Sequence, residues 1–254
     1  MIEIKNLSFS YEEEVLNNIN ITMEKGKFYT IIGPNGSGKT TLLRLISKAL
    51  NANKKEIFIE DKDLNSINSK LLSQKMAMVP QNTEIEFDFS VEDIVLMGRT
   101  PHISRFSSEG EKDFHIAKVA MEITNTLKFK DKKINELSGG ERQRVIVARA
   151  ICQDTEIILL DEPISHLDIH HQIEIMNEIK QLNENKKITI VAVLHDLNLA
   201  AAYSDHMILM NNGRIHSHGK PSDVLNEKAI KEVYDLDVYI ANNPKTGKIF
   251  IMPY

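Results

Sequence analysis

The stretch Gly33-Pro34-Asn35-Gly36-Ser37-Gly38-Lys39-Thr40-Thr41 constrains this chain more than any other. It fits the pattern G-x-x-x-x-G-K-[ST], an apolar run at 28–32 leads into it, and Leu42, Leu43, Leu45 and Ile46 leave it at helical spacing. A buried strand, a tight loop and a helix N-terminus are expected in that order. Gly33, Gly36 and Gly38 permit turns closed to residues with a Cβ, so successive N–H groups can converge on phosphate oxygens at the positive end of the helix. Lys39 can then reach β- and γ-phosphates, and the Thr40 hydroxyl can ligate a Mg²⁺ that bridges them. A magnesium nucleoside triphosphate is the implied ligand.

Around this loop the chain alternates strand and helix patterns. Strands are expected at 2–9, 19–23, 56–60 and 76–79, and Tyr11 follows the first of them. Its ring can stack on a purine base; the alternative is a surface tyrosine at a strand end. Pro80 stops the strand at 76–79 and delivers Gln81 to a loop, where its amide can ligate Mg²⁺ or hold an attacking water, or simply be a loop residue. From Ser90, a helix cap, the period turns helical through Val91, Ile94, Val95 and Met97, and a second helix is expected from about 108 to 126. These helices interrupt the alternating pattern and read as an inserted helical subdomain at about 86–154.

Ser138-Gly139-Gly140 precedes another helical run, Val145 to Ile151, so a second helix N-terminus presents free N–H groups to an anion. Taken alone it reads first as an N-cap turn. Two copies arranged head to tail can direct both kinds of N-terminus at one nucleotide. Ile157 to Leu160 is an apolar strand ending in Asp161-Glu162, and ligands of open α/β sheets bind beyond the carboxyl ends of strands. Asp161 is placed to hold Mg²⁺, and Glu162 to accept a proton from water attacking the γ-phosphate. Ser165 to Asp168 opens a further helix, and the strand at 188–194 delivers His195 to the same sheet edge, where it can meet the γ-phosphate. A β-rich finish with one helix near 223–234 completes the chain, and His216 and His218 alternate on a strand as surface histidines.

Composition narrows the functions. The 254 residues, 42% of them hydrophobic, suffice for one large domain. Lys and Arg number 31 against 36 Asp and Glu, a net charge of -5, which gives no basic field for nucleic acid. Cys152 is the sole cysteine and the opening Met1-Ile2-Glu3-Ile4 reads as strand rather than apolar leader, so a cytoplasmic setting is expected. No apolar run approaches the roughly 18–20 residues that cross a bilayer, so any membrane role is expected through a partner.

In this order, Tyr11, the loop at 33–40, Gln81, Leu137-Ser138-Gly139-Gly140-Glu141, Asp161-Glu162, Ser165 to Asp168 and His195 resemble the ATPase subunits of ABC transporters over essentially the whole chain. The resemblance implies a P-loop NTPase core of α/β class, mainly parallel sheet with an N-terminal antiparallel β part, plus the inserted α-helical subdomain, all within one ATP-binding domain at 1–254. It implies adenine stacking by Tyr11, phosphate and Mg²⁺ binding by Lys39 and Thr40, and a γ-phosphate sensor loop at Gln81. Asp161 corresponds to the Mg²⁺ aspartate, Glu162 to the catalytic base, Asp168 to the dimer-contacting loop and His195 to the switch histidine. Ser138 to Gly140 would meet the nucleotide of the opposite subunit in a homodimer.

Gly98-Arg99-Thr100-Pro101-His102 with Arg105-Phe106, and His195 to Ala201, are similar to importers of the iron-siderophore, haem and vitamin B12 type. That narrower resemblance implies ATP-driven import through a separate permease, fed by a substrate-binding protein, with the chain on the cytoplasmic face of the membrane. Arg99, His102, Arg105 and Phe106 are expected to be exposed at the permease contact. Ile164 stands where that group commonly has threonine. The rival readings are a soluble ABC-type assembly factor, for example in iron–sulfur cluster assembly, and a DNA-repair ATPase; the short span from Gln81 to Leu137 leaves no room for the latter's coiled coil.

Overall fold

The computed structural model describes residues 1–81, 88–104, 107–165 and 167–254, which form two compact units, 1–67 with 189–254 and 68–188. The first unit opens with the antiparallel hairpin β1 (Ile2–Ser10) and β2 (Glu14–Met23), Ile2 lying opposite Met23 and Ile4 opposite Ile21. β2 begins well before the expected 19–23. Register shifts along β1 break the period-2 alternation there. Asn6 and Asn18 take left-handed backbone (φ 48 and 51) beside these irregularities. The Asn6 N–H donates to Asn20 Oδ1 at 2.8 Å and the Asn18 N–H to Ser8 Oγ at 2.9 Å. Asparagine tolerates that backbone, and Asn20 and Ser8 supply the polar partners, so a strand continues where its composition reads as a turn. β3 (Phe28–Ile32) and α1 (Lys39–Ile46) follow, then β4 (Ile57–Ile59), which pairs antiparallel with β1, and the short β5 (Lys62–Asp63).

In the second unit α2 (Ser69–Lys75) is a helix that the apolar pattern does not announce; Asn68 caps it by accepting the Lys70 N–H at 2.8 Å. β6 (Met76–Val79) leads toward Gln81. α3 (Val91–Leu96) starts at a Ser90–Asp93 capping box, and a 3-10 segment spans Met97–His102. α4 (Glu111–Ile123) starts later than the expected 108, because the Asp113 carboxylate takes the Gly110 N–H at 3.1 Å and fixes the start there. α5 (Gly139–Cys152), β7 (Ile157–Asp161) and α6 (Ile169–Lys186) complete the unit. β6 and β7 run parallel, with Val79 opposite Leu160. Val91, Ile94, Val95, Ala120, Met121 and Val145 are buried, so the helices beyond β6 have a core of their own.

The chain returns to the first unit with β8 (Thr189–Val193), α7 (Leu197–Tyr203), β9 (His206–Asn211) and β10 (Arg214–Gly219). β3 lies between β8 and β9, parallel to both, with Ile31 opposite Val193 and Ile208; β10 closes an edge antiparallel to β9. Every residue of β3 and β8 is buried, which is why both read as unbroken apolar runs. Each large aliphatic side chain so enclosed stabilises the fold by about 1.5–3 kcal/mol. The helix expected at 223–234 is two, α8 (Pro221–Val224) and α9 (Glu227–Tyr234), because Asn226 accepts the Ala229 N–H at 2.9 Å and starts a new helix. β11 (Val238–Asn242) and β12 (Ile249–Pro253) form a hairpin pinned by Asn198 of α7, which accepts the Ile251 N–H at 2.7 Å. The fold is thus mixed α/β, a parallel sheet with an N-terminal antiparallel part and helices. Among the described residues no helix is long and apolar enough to cross a membrane.

Candidate functional site

The expected site residues fall into two groups, one in each unit. In the first unit the loop between β3 and α1 is shaped by glycine. Gly33 has φ 149, and a Cβ there would stand 2.3 Å from the Met210 carbonyl oxygen; Gly38 has φ 96, and its Cβ would meet Leu16 Cδ2 at 2.5 Å. Gly38 is also the N-cap of α1 and offers no side chain to its first N–H groups, nor does an acidic residue occupy the first turn. An N-terminus capped by glycine in this way suits an anion. The Lys39 side chain, 5% exposed, donates to the Gly33 and Pro34 carbonyls at 2.9 and 2.8 Å. Its ammonium is held over the loop, where the phosphates of a nucleotide are expected. Ser37 Oγ is buried with no hydrogen-bond partner among the described residues, a polar atom suited to a bound anion. Thr40 and Thr41 are half-buried in the first turn of α1.

Two other expected residues join this group. His195 is exposed at the C-terminal end of β8, the strand beside β3, so the loop at 33–41 and His195 leave the same sheet edge. Asp196, next to it, caps α7 by accepting the Asn198 and Leu199 N–H groups at 2.7 and 2.9 Å. Tyr11 is 57% exposed, its ring edge-on to Phe9 with centroids 5.0 Å apart, leaving a face open to a base. Tyr234 is an unexpected neighbour of the loop: its hydroxyl takes a hydrogen bond from the Gly33 backbone, and burial pushes it up to about 12.

The second unit groups Gln81, Asp161 and Glu162 at the ends of the paired strands β6 and β7. Asp161 is 1% exposed. Glu162 turns out of the strand with φ 52, so consecutive acids face different surroundings. Gln81 Nε2 donates to Glu162 Oε2 at 2.8 Å, and Ser165 Oγ donates to the Glu162 carbonyl at 2.9 Å. The side-chain pairing joins positions far apart in sequence, and adjacency of the two strands is the only signal that could have found it.

Ser138 and Glu141 form a capping box at the start of α5. The Ser138 N–H and hydroxyl donate to Glu141 Oε2 at 2.9 and 2.8 Å, and these bonds hold the Glu141 carboxyl below its ordinary range. Gly139 faces open space, whereas a Cβ on Gly140 would lie 3.3 Å from Leu167 Cδ2. Asp168 caps α6, accepting both the backbone N–H of His171 at 3.0 Å and its ring Nδ1 at 2.7 Å, which keeps the Asp168 carboxyl low. Deeper, the nearly buried Arg144 of α5 pairs with Glu174 and with Glu178 of α6, the latter at 3.4 Å. Burial pushes Glu178 up to about 7 despite the guanidinium, while the closer Arg144 bond holds Glu174 low against its own desolvation.

One expectation is corrected. Arg99 is 4% exposed and not a surface cation: it donates to Asp113 Oδ1 and to the Cys152 carbonyl, each at 2.9 Å, tying the 3-10 segment to α4 and α5. A buried ion pair of this kind has no local signature, since Asp113 becomes its partner only once the helices pack. His102 is exposed, as expected, and bonds the Gln153 carbonyl. Arg105 and Phe106 lie outside the described residues. His216 bonds Glu232 at 3.0 Å.

A model of the ABC transporter family matches residues 16–165. The chain is 35% identical over 254 residues to a petrobactin import ATP-binding protein of Bacillus anthracis, covering 100% of this chain and 93% of that protein. It is likewise 35% identical over 254 residues to the iron(3+)-hydroxamate import ATP-binding protein of Bacillus subtilis (strain 168), covering 100% and 94%. Among solved structures, a metal-chelate type ABC transporter in an inward-facing conformation superposes with a TM-score of 0.87 at 28% identity, covering 100% of this chain and 97% of the other. A dimeric post-hydrolysis ATP-binding cassette bound to ADP and Pi gives 0.76 at 30% identity, covering 87% and 99%.

Proposed function

Because this chain belongs to the ABC transporter family as an ATP-binding subunit and is an ATPase, we propose that its turnover drives import of a metal chelate through a separate membrane permease. The observation that carries the catalytic part is the Glu162 carboxylate held by Gln81 at 2.8 Å beyond the end of β7. A carboxylate oriented by a neutral amide keeps its charge and its direction, as a general base needs. In this reading Lys39 exchanges the Gly33 and Pro34 carbonyls for the β- and γ-phosphates, Tyr11 stacks on adenine, and Glu162 takes the proton of the water that attacks the γ-phosphorus. His195 hydrogen-bonds the γ-phosphate.

Thr40, Gln81 and Asp161 are the residues that would hold Mg²⁺, an all-oxygen donor set suited to a hard cation. Gln81 commits its amide nitrogen to Glu162, which leaves its carbonyl oxygen for the ion. When bound, Mg²⁺ neutralises charge on the β- and γ-phosphate oxygens. Ser138 to Gly140 and Asp168 serve the nucleotide of a second copy in a head-to-tail homodimer, and residues 1–254 act as one ATP-binding domain with its helical subdomain at about 86–154.

A groove of about 700 Å³ in the second unit, lined by Ser69, Lys70, Ser73, Thr100, Pro101 and Ile103, supports a permease docking place beside the expected segment. Permease subunits would hold the chain at the cytoplasmic face of the membrane and receive substrate from a binding protein. Uptake of a labelled ferric chelate by cells carrying Glu162→Gln in place of the native chain tests the reading: uptake is expected to stop. Undiminished uptake, or failure of the chain to co-purify with any membrane protein from detergent, would favour a soluble assembly factor.

A further inference from the structure

The loop that ends at Asp168 and the turn at Ser138 to Gly140 are separate in sequence, yet the second unit joins them through the first turn of α6. Both carboxylate oxygens of Asp168 are taken by one residue, His171, through its backbone N–H at 3.0 Å and its ring Nδ1 at 2.7 Å. Because the carboxylate only accepts, the ring nitrogen facing it carries a proton. The Cγ–Nδ1 edge of the same ring lies beside Gly140, in the first turn of the helix that starts at Ser138. A Cβ built on Gly140 would stand 4.0 Å from both Cγ and Nδ1 of His171 and 3.3 Å from Leu167 Cδ2. Gln172 closes the loop from behind, its Nε2 donating to the Leu167 carbonyl at 3.0 Å and the Ile164 carbonyl at 3.3 Å. One turn further along α5, Arg144 reaches Glu174 and Glu178 on α6, so the two helices are tied again below the contact.

We infer that His171 is a positioning residue that locks the Asp168 loop to the Gly139-Gly140 turn, so that the two move as one body. It touches no nucleotide itself. The consequence for turnover rests on the head-to-tail dimer proposed above, in which both segments meet the second copy: a pair locked in one subunit presents its anion-binding turn and its contact loop in fixed register, which lowers the ordering cost of closing on ATP. A histidine suits the place because its flat ring fits against a glycine while its Nδ1 reaches three residues back to the helix cap.

Hydrogen exchange on the isolated subunit tests the lock without nucleotide or partner. His171→Ala is expected to speed amide exchange at least about tenfold at 138–141 and at 165–168 together, the size expected for loss of one charge-assisted hydrogen bond. His171→Asn, whose Cγ and Nδ2 can occupy the positions of Cγ and Nδ1, should restore both. Loosening at 165–168 alone would reduce His171 to a helix cap and overturn the inference, as would no loosening at either. In a Glu162→Gln background, His171→Ala should raise the ATP concentration needed for dimerisation by about the same factor while nucleotide affinity of the monomer is kept. If Glu162→Gln forms no dimer with ATP although both segments loosen together, the lock stands and the head-to-tail reading falls.

Discussion

The loop after β3 and the turn before α5 are both helix N-termini suited to an anion, yet they are built by different means. At Gly33 to Lys39 the shape is set by backbone: glycines with positive φ sit against the Met210 carbonyl and the Leu16 side chain, and no side chain caps α1. At Ser138 to Gly140 the shape is set by side chains: a Ser138–Glu141 box, the Asp168–His171 pair and, below them, Arg144 between two carboxylates. A backbone cradle tolerates no substitution at its glycines but owes little to pH. A side-chain construction survives single changes as a fold, loses its register, and carries titratable groups.

The backbone cradle is the more sensitive of the two to a single substitution. Lys39→Ala removes the cation of the loop and is expected to cost about 2–5 kcal/mol of nucleotide binding, measured by titration with a fluorescent ATP analogue. Gly33→Ala should be as damaging for a steric reason, since its Cβ would lie 2.3 Å from the Met210 carbonyl. Native affinity in both variants would remove the loop from the site.

Next in size is the buried cation of the second unit. Arg144→Ala leaves Glu174 and Glu178 without their shared partner and is expected to destabilise the fold by about 3–5 kcal/mol, read from denaturant unfolding. Glu178 gives the same region a pH dependence. Burial raises its folded-state value to about 7 from the 4.5 of an unperturbed glutamate, so the folded chain binds the extra proton in that interval. Its contribution to stability is therefore full below pH 4.5 and is lost as pH rises through about 7, a span on the order of 3 kcal/mol at most. Glu178→Gln should flatten the stability profile across that window; an unchanged slope would place the proton elsewhere.

The smallest expected effect is at the cap. Ser138→Ala removes the hydroxyl that donates to Glu141 Oε2 and accepts the Glu141 N–H at an exposed helix end, and should cost about 1 kcal/mol of stability, a small shift of the denaturation midpoint. A loss several times larger would mean that the capping box, and not the Arg144 cluster, holds the second unit's loops.

The backbone-built half of the molecule was largely legible in the sequence. Spaced glycines, a following lysine and unbroken apolar strands are local signals, and each corresponds to the steric or burial condition observed. The side-chain-built half was legible only as separate motifs. Gln81 against Glu162, His171 against Gly140 and Arg99 against Asp113 depend on partners that adjacency of strands or helices supplies, and no spacing rule announces them. α2 escaped because its boundary is a polar cap at Asn68 with little apolar stripe behind it, and β2 was shortened because asparagines in left-handed backbone imitate a turn.

In the function proposed above, Glu162, oriented by Gln81, is the general base of an ATPase whose two nucleotides are clamped between copies. Glu162→Gln keeps the size of the side chain and its hydrogen bonding while removing the base. Steady-state ATP hydrolysis by this variant, measured beside its ATP binding and its size-exclusion profile in Mg-ATP, is the most direct test. Turnover is predicted to fall by about 10²- to 10⁴-fold with ATP binding retained, and the variant should elute as a dimer that ADP does not support and that Ser138→Arg dissolves. Hydrolysis at the native rate would contradict the claim.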